Sequence, residues 1–176
     1  MVYFWRMTGA LMLQPAAYED VEADPSSLWQ SALTVLLSSL AAGIGIVRFA
    51  HGNWTAIGFV VTVAFMAWML WSLVTYQIGA RILPTPQTDV TFGQLLRTIG
   101  LASAPGVFRV AGLIPRYTTA VFAVTSIWML AAMVVAVRQA LDYQSTTRAF
   151  AVCALGWILA LSFAIGLGIF FGPQLS

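Results

Sequence analysis

The sequence predicts an all-α protein, a polytopic transmembrane helical bundle of about five spans with a short interfacial segment in front of it. Three observations lead there. The chain is 60% hydrophobic and only 8% charged, against about a quarter charged in an ordinary soluble domain. Its mean hydropathy is +0.88, a value that would leave a soluble domain with large exposed apolar patches. Five separate runs reach the roughly 20 apolar residues that a helix needs to cross a bilayer.

Residues 1–27 form the interfacial segment. Ala10, Leu11, Leu13, Tyr18 and Val21 alternate there with polar groups, which suits a stretch lying on a membrane surface. Residues 28–176 form the bundle, with spans at 28–47, 54–79, 95–114, 117–137 and 149–171. The first begins behind Asp24 and Pro25: an aspartate can cap a helix, and proline suits its first position, where no N–H is needed. Trp29 and Trp54 stand near span ends, where an apolar ring with a polar N–H is favoured. Pro84 and Pro86 punctuate the loop after the second span, and Gly172 and Pro173 end the fifth. The first, second, fourth and fifth spans contain no charged residue; the third contains Arg97 and Arg109 together with Pro105.

Arginine placement predicts orientation. Arg6, Arg81, Arg97, Arg138 and Arg148 fall on one side, Arg48 and Arg116 on the other, which puts the N-terminus in the cytoplasm and the C-terminus outside. The N-terminal stretch is broken by Arg6, Thr8 and Gln14 and lacks a long apolar core with a cleavage site, so no signal cleavage is expected.

Composition also excludes functions. There is no lysine, so a P-loop is ruled out. A net charge of +2 is too small and scattered for a nucleic-acid surface. One cysteine, Cys153, and one histidine, His51, cannot build a disulfide or a conventional zinc site, and no cofactor or metal is expected. His51 reads as an exposed turn residue, with a pH-sensitive contact or axial ligation as the less ordinary role. No nucleophile–base–acid arrangement is visible, and the chain is read as non-enzymatic.

The candidate polar site is the third span. An arginine at bilayer depth costs about 2.5–3.5 kcal/mol on insertion scales, and Pro105 removes a helical hydrogen bond. Arg97 and Arg109 therefore either line a polar cavity at a broken helix or snorkel to opposite interfaces. The acidic run from Glu19 to Asp24 is a solvated face or a site for a basic partner, with Glu19 and Glu22 on one helical face and Asp20 and Asp24 on another. Asp142 stands at ion-pair spacing from Arg138 and is alternatively a partner for Arg97. Small residues mark close helix contacts: Ser39 with Gly43, Ala41 with Gly45, and Gly168 with Gly172.

The stretch Phe92-Gly-Gln-Leu-Leu-Arg-Thr-Ile-Gly-Leu-Ala-Ser-Ala-Pro105 resembles the loop-to-helix signature of the Yip (Ypt-interacting-protein) domain family, in its bacterial branch. Residues Ala136 to Tyr143, then Thr146 to Ala149, are similar to that family's last loop, and Tyr18-Glu19 through Asp24-Pro25 to its opening; the resemblance covers roughly residues 10–171. It implies a five-helix bundle with a cytoplasmic N-terminus, in a bacterial inner membrane. Eukaryotic members bind prenylated Rab-type GTPases in vesicle traffic, and no catalytic residues come with the family. The functional expectation is a non-enzymatic scaffold or accessory subunit, binding another membrane protein or itself through glycine-rich faces as well as membrane lipids. The alternative is a small transporter, channel or lipid-handling protein built around the broken third span.

Overall fold

A computed structural model describes the backbone of residues 1–45 and 54–171, and the side chains of these up to residue 159 and of Ser162, apart from Trp54 and Ala56. All its regular elements are helical. Two short helices, α1 (Val2–Leu11) and α2 (Pro15–Ala23), precede a single 3₁₀ turn (Pro25–Ser27) and the long α3 (Leu28–Gly45). Then follow α4 (Trp54–Tyr76), extended by a π-helical turn (Gln77–Ile82), α5 (Phe92–Leu101), a ten-residue 3₁₀ segment (Ala104–Leu113), α6 (Thr118–Ala140) and α7 (Thr146–Phe171).

Three stretches are long and apolar enough to cross a membrane: Pro25–Gly45, Ile57–Ile82 and Thr118–Ala140. The 26 residues of α7 extend about 39 Å at 1.5 Å each, enough for a fourth crossing. α4 and α6 turn Phe59, Met66, Leu70, Val124 and Ile127 outward, the natural arrangement where the surroundings are lipid.

The segment read from the sequence as a third span comes in two pieces. Pro105 sits in the first turn of the 3₁₀ stretch, where its missing N–H breaks the α-helical ladder. A 3₁₀ run this long is uncommon, because its hydrogen bonds are poorly aligned; packing on both sides sustains it here. The two pieces run parallel to α3. Ser31 Oγ donates to the Arg97 carbonyl at 2.7 Å, Ser38 faces Gly106, and Gly45 lies against the Arg109 carbonyl and Phe122. A Cβ on Gly106 would overlap the Ser38 hydroxyl, so glycine is what lets the segment approach α3. From α4, Trp68 Nε1 donates to the Leu96 carbonyl at 2.9 Å. Side chains of neighbouring helices thus bond the backbone of the interrupted one, as a bilayer requires.

Gly43 packs on Ile57 while Gly100 packs on Trp68 and Ser31, so α4 runs antiparallel to α3. α6 runs antiparallel to the 3₁₀ segment, with Phe122 against Gly112 and Met129 against Gly106. α7 returns beside α4, where Gly156 meets Trp71. One end of the bundle therefore gathers α1, α2 and the loops at 83–91 and 141–145; the other gathers the ends of α3, α6 and the 3₁₀ segment.

At the first end Tyr143 donates its hydroxyl to the carbonyls of Leu83 (2.8 Å) and Gly79 (3.1 Å), tying the last loop to the π turn. The buried side chains around it include Ile78, Leu95, Ile99, Leu141, Val152 and Cys153. A second buried group, Ala10, Tyr18, Val21, Leu101, Ala132 and Ala136, seats α1 and α2 on the bundle. α1 keeps Arg6, Gly9 and Ala10 inward while Val2, Phe4 and Trp5 remain exposed, a division suited to an interfacial helix.

Candidate functional site

Two arrangements stand out, a polar clamp at the start of the broken helix and a mostly apolar cavity alongside it. The first joins α1, α2 and α5. Arg6 is only 4% exposed; it donates to Asp20 at 2.6 Å, to Asp24 at 2.9 Å and to Gln30 Oε1 at 2.9 Å. Asp24 also caps the turn that opens α3, accepting from the Ser26 amide at 2.9 Å and its hydroxyl at 2.6 Å. The Ser26 hydroxyl and then Arg6 hold this carboxyl below its ordinary range. Asp20 and Asp24 do share a face, and what they face is an arginine of the same chain.

Arg97 belongs to this arrangement. Its Nε donates to the Val21 carbonyl at 3.2 Å and its Nη2 to the Glu22 carbonyl at 2.5 Å. These carbonyls end α2, where the helix itself supplies no donor; the Val21 carbonyl also accepts from Ser27 Oγ at 2.8 Å, and a cation there meets the negative end of the helix dipole. Glu22 accepts from Gln94 Nε2 at 3.1 Å, and Glu19 from Gln139 Nε2 at 2.6 Å. Burial, with Asp142 and Glu19 nearby, pushes the Glu22 carboxyl up to about 7 even though Arg97 pulls the other way.

Asp142 forms neither the ion pair with Arg138 that its spacing suggests nor the alternative one with Arg97; among the described residues both ion pairs belong to Arg6. Asp142 takes a left-handed conformation, φ 52°, which turns the chain back at the end of α6. Arg138 then reaches the Tyr143 carbonyl and the Thr146 hydroxyl, each at 3.3 Å.

The second arrangement is a cavity of about 470 Å³ between α3, α4, α6 and the broken helix, within the usual size range of small-molecule pockets. Its walls are nearly all apolar. Val35 and Ala42 come from α3, Phe59 and Val63 from α4, Met129 and Met133 from α6; Ser38, Ser39, Ser103 and Arg109 are polar exceptions. Phe59 is 71% and Val63 47% exposed, so the mouth opens sideways on the outward face of α4. Trp71 also lines the cavity, and its indole N–H is buried without a partner among the described residues.

Arg109 is half-buried beside two hydroxyls. Its Nη2 donates to Ser126 Oγ at 2.9 Å, its Nε to Thr125 Oγ1 at 3.4 Å, and its guanidinium lies 5.3 Å from the centre of the Phe122 ring. Thr125 is seven residues, about 10 Å, inside α6. All six acidic side chains, Glu19, Asp20, Glu22, Asp24, Asp89 and Asp142, lie at the opposite end of the bundle. Among the described residues the charge is thus held by neutral groups alone, and an arginine so far inside a membrane-spanning bundle marks a functional site by default.

Of the glycines expected to mark close helix contacts, Gly43 and Gly45 are engaged within the chain. Gly43 meets Ile57 of α4, and Gly45 meets Arg109 and Phe122. The surroundings of Gly168 and Gly172, and His51 and Arg48, lie outside the described residues.

A bundle of long apolar helices around a laterally open cavity defines a multi-pass helical membrane protein. The chain belongs to the Yip1 domain family, whose domain matches residues 9–167. No curated protein and no solved structure matches it.

Proposed function

We propose that this protein is a non-enzymatic, multi-pass Yip1-type membrane protein that holds a membrane lipid in the cavity at its broken third helix. The observation that carries the reading is the mouth at Phe59 and Val63. A pocket that opens on the lipid-facing side of a helix, with apolar walls, is suited to an acyl chain entering from the bilayer. In this reading the chain crosses five times, with the two helical pieces 92–113 counting as one crossing, and the N-terminal clamp lies on the cytoplasmic side. Action as a scaffold through glycine-rich faces has less support, because Gly43 and Gly45 are already covered by the chain's own α4, α6 and 3₁₀ segment.

Native mass spectrometry of protein purified in mild detergent tests the proposal. One lipid per chain is expected to survive repeated detergent exchange. Ala67 lines the cavity and is exposed, so Ala67→Trp adds bulk at the mouth without displacing the core and is expected to abolish retention. A lipid-free wild type, or equal retention by the variant, would count against the proposal.

A further inference from the structure

The lipid cavity carries information about the head group it takes, and we infer that it selects a lipid with an anionic head group, seated at Arg109. This rests on the reading of the cavity as a lipid site. A guanidinium has five N–H donors and no acceptor. Hydroxyls of Thr125 and Ser126 take two of them; the other three have no partner among the described residues. The chain has no carboxylate side chain at this end to neutralise the charge. Desolvating an arginine against hydroxyls and a ring leaves it short of a counter-ion. A phosphate or carboxylate oxygen supplies that counter-ion and matches the fork geometry of the guanidinium.

The shape of the cavity sets the direction of the lipid. Arg109 lies level with Gly45, near the end of α3, whereas Ile99, Trp68 and Trp71 line the cavity further toward α5. From Ala42 to Val35 the α3 wall runs seven residues, about 10 Å. The head group therefore sits at Arg109 and an acyl chain lies along α3 toward the two tryptophans. Ser38 and Ser39 stand between them on the same wall, within reach of a glycerol or ester oxygen. The lateral mouth makes a bilayer lipid, and not a soluble anion, the occupant.

The test is a competition in mixed micelles containing equal amounts of phosphatidylglycerol and phosphatidylcholine, with bound lipid read by native mass spectrometry. Wild type is expected to retain phosphatidylglycerol about tenfold over phosphatidylcholine, the equivalent of about 1.4 kcal/mol. Arg109→Gln should lose the preference while still retaining lipid, and Arg109→Lys should keep part of it. Arg116→Gln, an exposed arginine at the same end of the bundle, should leave the preference intact; if it erased the preference, general surface charge and not the cavity would be responsible. If Arg109→Gln does not fold, the wild-type competition and Arg116→Gln decide the matter between them. Retention of lipid by wild type with no head-group preference overturns this inference and leaves the cavity's lipid role standing. Retention of no lipid at all overturns both.

Discussion

Arg6 Nη2 donates to the Asp24 carboxylate at 2.9 Å, so the first helix grips the residue that caps the start of α3. The same guanidinium reaches Asp20 on α2 and Gln30 on α3. One nearly buried side chain thereby fixes three elements against each other before the first long apolar helix begins.

Removing it should be costly. Arg6→Met leaves Asp20 and Asp24 without their cation and Gln30 without its donor. Both acids keep water contact, at 45% and 32% exposure, so the unfolding midpoint is expected to fall clearly but by less than the loss of a fully buried pair would cause. Thermal unfolding in detergent measures it. Asp20→Asn, at the wetter partner, should lower the midpoint less; an equal or larger drop would contradict the arrangement.

The clamp should also weaken in acid. Hydrogen bonds from Ser26 and Arg6 depress the Asp24 carboxyl. Its contribution is full above the unfolded aspartate value, about 3.9, and is lost as pH falls through the lower folded value. Limited proteolysis between residues 11 and 28 is expected to accelerate below about pH 4 and to be unaffected by pH from 5 to 6.

Glu22 works in the opposite sense. Its carboxyl is raised to about 7, so between the unfolded glutamate value of about 4.3 and 7 the folded state binds more protons than the unfolded one. Stability from this group falls as pH rises through that window and then levels off. The unfolding midpoint of wild type should therefore drop more from pH 5.5 to 8 than that of Glu22→Gln. Identical pH profiles would show that Glu22 does not titrate there.

Two glycines give opposite expectations. A Cβ on Gly45 would run into the backbone carbonyl of Arg109, which cannot yield as a side chain can; overpacking of this kind costs about 1–3 kcal/mol. Gly58 has nothing among the described residues within 4 Å of a built Cβ, and it lies inside α4, so Gly58→Ala should be neutral or stabilise by up to about 1 kcal/mol. Comparison of the two midpoints checks how tightly the 3₁₀ segment lies on α3.

Much of this architecture is legible in the sequence. Long apolar runs, the Asp24–Pro25 start signal and the break at Pro105 all appear in the helices as local chemistry requires. What the sequence left open was where the third-span arginines point. Arg97 and Arg109 look alike by hydropathy, yet one closes the end of α2 and the other faces a cavity, because only tertiary packing decides which neighbour each meets. From the sequence Arg6 reads only as a charge ahead of the first span; its acidic partners are 14 and 18 residues away, beyond any helical spacing rule. A signal did exist in the pairing of Asp20 and Asp24 at i,i+4, which called for a cation without naming it. Asp142 misled for the converse reason: its spacing from Arg138 assumes a continuing helix, and the left-handed turn at Asp142 ends it.

The most direct test of the lipid cavity is photolabelling in a bilayer with a phospholipid that carries a diazirine near its acyl terminus, followed by peptide mapping. Labelling is expected to concentrate on Val35, Ala67 and Met133, which line the cavity, and to fall in the Ala67→Trp variant. Labelling spread evenly over the outward residues Met66 and Leu70 of α4, with none on Val35 or Met133, would show that no lipid enters and would contradict the account.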